Sequence, residues 1–137
     1  MSIVATVHLW FASIFLLSSI SMTLFILALK KKSQVLTNLT AKIVFITEMI
    51  FSGLTPLLGL WMIITQPFWM KFPNFHYKLT FAILSILLIH WSNAKLKKAC
   101  KTGRSAFGFI IFLRVTALIL LIVTYYLGTD LFDYVQM

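Results

Sequence analysis

Six ionisable side chains stand within otherwise apolar stretches of this chain: His8, Glu48, His76, Lys78, His90 and Arg114. Ionisable groups are costly in hydrocarbon, so each is a candidate for chemistry. Two imidazoles at matched depth on facing helices can ligate a haem iron from both sides. His8 and His76 are the pair that fits, one near the start of the first apolar stretch and one near the start of the third. The plainer reading makes each an interfacial histidine with its polar tip in water. Neither has a metal-binding neighbour three or four residues on, so a zinc site has little support.

His90 follows His76 on the same stretch. On an ideal helix it returns to within roughly 40° of the same face, about 21 Å further along. One helix would then present a histidine to each leaflet, a pattern suited to electron transfer across a membrane. No second histidine matches His90 in depth. Met22 and Met49 lie near that level and methionine can be an axial ligand, although membrane methionines more often pack. Glu48 and Arg114 sit at comparable depths, so a buried ion pair between them is expected, with Arg114 reaching inward along its stem. Such a pair either fixes helix packing or serves a proton or substrate. Lys78 is about 200° around the helix from His76, so the two should not face one cavity. Lys78 can also reach lipid headgroups.

The elements that must position these groups are membrane spans. The chain has 137 residues, 61% of them hydrophobic and 11% charged. A water-soluble core cannot absorb that apolar fraction, whereas a bilayer can. Four spans are predicted within one transmembrane domain covering residues 1–137: about 6–29, 43–65, 75–93 and 105–127, each near the roughly 20 residues that cross the hydrocarbon. The fold class is therefore an all-α, integral membrane four-helix bundle running up-down-up-down. Pro56 should kink the second span, and Gly53 and Gly59 should let a neighbouring helix approach closely. QPFWMKFPN (66–74) reads as an interfacial loop of the aromatic belt.

Net charge is +9, yet the cations cluster between apolar stretches, which argues for anchors at an anionic lipid surface and against nucleic acid. The loop after the first span carries Lys30, Lys31, Lys32 and Lys42. The loop after the third carries Lys95, Lys97, Lys98, Lys101 and Arg104, and the one between carries only Lys71. The positive-inside rule places 30–42 and 94–104 in the cytoplasm and both termini outside. The membrane expected is a bacterial inner membrane. The acids Asp130 and Asp133 fall in the tail. No cleavable leader is read at the start of the chain. Cys100 is the single cysteine, so no intrachain disulfide is available. Asn38 opens a formal glycosylation triplet on the predicted cytoplasmic side, where it carries no meaning.

FHYKLTFAILSILLIH (75–90) has a His-x-Lys-Leu opening and a closing histidine. It resembles the third-helix motif of the HemJ-type protoporphyrinogen oxidases, a family related to the SirB and CopD groups of small membrane proteins. Thr55–Pro56 with its glycine-spaced apolar run is similar to that family's second helix, and His8 in VHLWFASIF to the histidine of its first; the likeness spans roughly residues 5–100. The resemblance implies haem b within the bundle and oxidation of protoporphyrinogen IX to protoporphyrin IX, with electrons passed towards quinone. It also implies His8 as a haem ligand, Lys78 as a functionally required residue, and His76 as a ligand or proton carrier. Putting the readings together, His8 and His76 would hold the iron, His90 would be a further cofactor-binding histidine, and Arg114 or Lys78 would meet the propionates. The expected partners are the lipid bilayer, a quinone, and a homo-oligomer or larger membrane complex. The rival reading is a non-catalytic accessory subunit of such a complex. A small transporter is less attractive, because four helices without an inverted repeat give little to build alternating access on.

Overall fold

A chain this apolar can satisfy its backbone amides within hydrocarbon only by pairing them internally, and helices do so within one segment. The computed structural model describes residues 3–28, 32–102 and 107–136, and their side chains apart from those of 32–34 and 130–136. It contains four α-helices, α1 (Ile3–Ala28), α2 (Leu39–Thr65), α3 (Pro73–Thr102) and α4 (Phe107–Gln136). Short 3-10 helices occupy Lys32–Thr37 and Pro67–Lys71. All four α-helices are long and apolar enough to cross a membrane. The expected span ends at Leu29 and Ser105, and the cations Lys30, Lys31 and Arg104, lie outside the described residues, as do the side chains of Lys32, Asp130 and Asp133.

The helices are longer than the apolar stretches that announce them. α2 starts inside the polar segment because Asn38 caps it, its side-chain oxygen accepting from the Ala41 amide at 3.1 Å. α3 runs through the basic segment to Thr102 instead of ending near Asn93, because Ala, Leu and Lys are strong helix formers and no glycine intervenes before Gly103. α4 likewise continues through Gln136. QPFWMKFPN is not a plain loop, since most of it forms the second 3-10 helix and the first turn of α3. Pro56 lies within the unbroken α2.

The inward residues follow alternating spacings of three and four. On α1 they include Ala5, His8, Phe15, Ser19, Met22 and Ile26; on α2, Ala41, Phe45, Glu48, Ser52, Thr55 and Met62. α3 repeats the pattern with Ser85, Ile89, Ser92, Leu96 and Ala99. This is the 3.5-residue period of helices packing side by side. α1 packs along α2 and α3 along α4, and α1 joins the two hairpins by packing against α4. Among the described residues α2 and α3 approach less closely than these pairs do, and meet through side chains such as Phe45 and Lys97. His8, early in α1, meets Gly59, late in α2, and Lys78, early in α3, meets Gly128, late in α4.

Apolar clusters close both ends of the bundle. Ala5, Met62, Trp69 and Phe75 form the Trp69 end. Met22, Ile26, Val35, Phe45, Leu96 and Ile110 form much of the opposite end, beside the lysines of late α3. Between the two ends lie the polar groups.

Candidate functional site

Near the Trp69 end the four helices enclose a cavity of about 270 Å³, close to the lower limit of the roughly 300–1,000 Å³ typical of small-molecule sites. Its walls are almost wholly apolar, with Phe15, Leu121, Trp69 and Phe75 among them. Polar groups are few: His8, Thr55, Lys78, Thr124 and Tyr125. Among the described lining residues Lys78 is the only cation, and there is no carboxylate. The seam register turns His8 and Lys78 inward, and a glycine on the facing helix makes room for each. A Cβ on Gly59 would stand 3.2 Å from Cε1 of His8, and one on Gly128 would stand 3.2 Å from Cε of Lys78. The Lys78 ammonium also lies 5.9 Å from the Phe75 ring centroid, within cation–π range. Tyr125 is oriented by a 2.8 Å hydrogen bond with Ser13.

His8 is buried, and its Nδ1 has no hydrogen-bond partner; the Thr55 hydroxyl is unpartnered too. Buried polar atoms are paired in the great majority of cases, so these two orphaned groups beside the cavity are exceptions.

The second polar centre lies deeper, toward the lysine end, and draws on every helix. Arg114 of α4 is 1% exposed and forms a salt bridge to Glu48 of α2, which is fully buried. The guanidinium also donates to Asn93 Oδ1 of α3 at 2.6 Å and to Thr23 Oγ1 of α1 at 3.1 Å. Asn93 in turn donates to Glu48 at 2.9 Å and to the Met49 sulfur at 3.2 Å. The expected ion pair is therefore present. Arg114 does not reach inward to an interface, because Glu48 and Asn93 satisfy it where it stands.

Several expected roles are not met. His76 does not face His8: it is exposed, its Nε2 is 2.7 Å from the Met70 carbonyl, and it does not line the cavity. The cause is register, since Lys78 takes the inward position and the helix turns His76 away. His90 lies outside the cavity lining, with Nε2 3.2 Å from Ser52 Oγ. Arg114 is committed to Glu48, leaving Lys78 as the cation available to an anionic group. Met22 is packed in an apolar cluster and Met49 accepts from Asn93, so neither is placed as an axial ligand. Gly53 has nothing within 4 Å of a Cβ, so of the two glycines expected to admit a neighbour only Gly59 does.

Among the described residues no three His, Cys, Asp or Glu side chains gather to cage a metal ion. The donor set instead fits an iron already held by a macrocycle, which needs one axial imidazole, apolar walls and a cation for its carboxylates. Comparison with protein-family models, curated proteins and solved structures finds no match to this chain.

Proposed function

We propose that this chain is a small multi-pass protein of the bacterial inner membrane that binds haem b in the cavity, in the manner of the HemJ-type family it resembles. One observation carries the reading: an apolar cavity is lined by both His8, whose buried Nδ1 has no hydrogen-bond partner, and Lys78. His8 would hold the iron, and Lys78 would meet a propionate through a charge-assisted hydrogen bond. Phe15, Leu121 and Trp69 exclude water, and Gly59 and Gly128 leave room for the two polar side chains. Bound haem would supply one-electron redox chemistry, serving either oxidation of protoporphyrinogen IX or relay of electrons to quinone. The iron site uses one histidine rather than two, because His76 points elsewhere. With the lysines of late α3 in the cytoplasm, the cavity lies in the outer half of the bilayer.

The test is optical. Protein purified from haem-replete cells should be red, with a Soret band that weakens strongly in His8→Ala and a haem content near one per chain. A colourless preparation would sink the reading and favour the alternative, an accessory subunit of a larger membrane complex. The fully paired Arg114 centre speaks for that alternative, since it braces four helices without leaving any group free for chemistry.

A further inference from the structure

The cavity is not sealed on all sides. α1 packs along α2, α3 along α4 and α1 against α4, whereas the backbones of α2 and α3 come less close to one another. Toward the lysine end the side between α2 and α3 is bridged by polar bonds, Ser52 with His90 and Glu48 with Asn93. Toward the other end it is closed by the cluster of Met62, Trp69 and Phe75. Between these closures Leu60 of α2 and Ile83 of α3 both line the cavity, yet they are 54% and 52% exposed. A residue that faces the cavity and the exterior at once marks an opening. Both residues sit on membrane-spanning helices, so the exterior they meet is hydrocarbon.

We propose that the cavity opens sideways into the bilayer between α2 and α3, past Leu60 and Ile83, and takes up a membrane-dissolved amphiphile whose carboxylate is held by Lys78. The apolar walls select an apolar body. The single cation, with no carboxylate among the described lining residues, selects an acidic group. An ionised carboxylate this deep is costly unless paired, so the charge match supplies selectivity over neutral lipids. The inference rests on the cavity and its opening and is tested on protein from haem-deficient cells, since haem would fill the same cavity and occupy Lys78.

The test uses brominated fatty acid as ligand and quencher together. Trp69 lines the cavity and is 5% exposed, whereas Trp10, Trp61 and Trp91 are each at least half exposed. With those three changed to Phe and the protein in phosphatidylcholine vesicles, Trp69 is the sole reporter. Dibromostearate should quench it saturably, and its methyl ester should not. Lys78→Met should weaken the saturable phase about tenfold or more, the loss expected for a charge-assisted hydrogen bond. Leu60→Phe with Ile83→Phe narrows the opening at two half-exposed residues. It should slow the quenching several-fold. Unsaturable quenching that is equal for acid and ester would overturn the proposal, as would an unchanged rate in the Phe pair. A red protein that fails this test leaves haem binding standing, and a colourless protein that passes it leaves the opening standing.

Discussion

The imidazole of His8 occupies the space a side chain at Gly59 would need: a Cβ there would lie 3.2 Å from Cε1 and 3.8 Å from Nε2. In Gly59→Ala the ring must therefore turn aside, an overpacking that typically costs about 1–3 kcal/mol. Gly53 on the same helix faces open space, so Gly53→Ala is a matched control and should be neutral or slightly stabilising, Ala being the better helix former. Haem per chain, measured as the pyridine haemochrome, should fall by more than half in Gly59→Ala and stay at the wild-type level in Gly53→Ala. Equal haem in both would remove His8 from the iron.

Lys78 and Gly128 allow the same comparison on the other hairpin. Gly128→Ala brings a methyl within 3.4 Å of the Lys78 ammonium, whereas Gly108 has nothing near it. Gly128→Ala should reproduce part of the Lys78→Met phenotype in dibromostearate binding. Gly108→Ala should not, and matching effects of the two alanines would show that Gly128 does not position the lysine.

The three histidines should separate cleanly. His8→Ala should abolish most of the Soret absorbance, while His76→Ala should leave it unchanged, because His76 is held by the Met70 carbonyl. His90→Ala removes a hydrogen bond to Ser52 and should cost about 1 kcal/mol of stability with no spectral shift. A spectral shift in His76→Ala would restore that residue to the iron.

Breaking the buried ion pair should be expensive. Glu48→Ala leaves the Arg114 guanidinium buried without its carboxylate, and losses of about 3–5 kcal/mol are usual for such a change. Replacing both by methionine should recover much of that loss, since a buried pair often contributes little beyond an apolar substitute. Unfolding followed by circular dichroism in detergent measures both. A loss below about 1 kcal/mol in Glu48→Ala would mean the pair behaves as an exposed one does.

Orientation can be read by labelling. In a Cys100→Ser background, Asn74→Cys on the exposed start of α3 should react with an impermeant maleimide added to intact spheroplasts. Lys98→Cys should react only after lysis. The reverse pattern would invert the assignment from the positive-inside rule.

The helices and the ion pair were legible in the sequence because their signals are local: apolar length, and charges that hydrocarbon tolerates only in company. The side-chain cluster was not. His76 and His90 share a face, as their 14-residue spacing predicts, since that spacing is two heptads. The shared face is one step off the seam, however, and Phe75, Ile89 and Ser92 hold the inward positions. Counting threes and fours from Ser85 back through Ala82 and Lys78 would have placed the lysine, not His76, in the cavity. Asn93 stands at the end of the expected span, where the basic segment begins, yet it sits at the centre of the Arg114 network. Gly128 gave no signal at all, because its partner, Lys78, lies 50 positions earlier.

Glu48 and Arg114 belong to the second and fourth helices, which leaves each charge alone for part of the chain's synthesis. A carboxylate enters the membrane with α2 and waits there while α3 is made. An unaccompanied arginine at mid-helix raises the cost of insertion by about 2.5–3.5 kcal/mol, and α4 escapes that penalty only where α2 is already in place to receive it. A chain with its second helix misplaced would offer Arg114 no counter-ion.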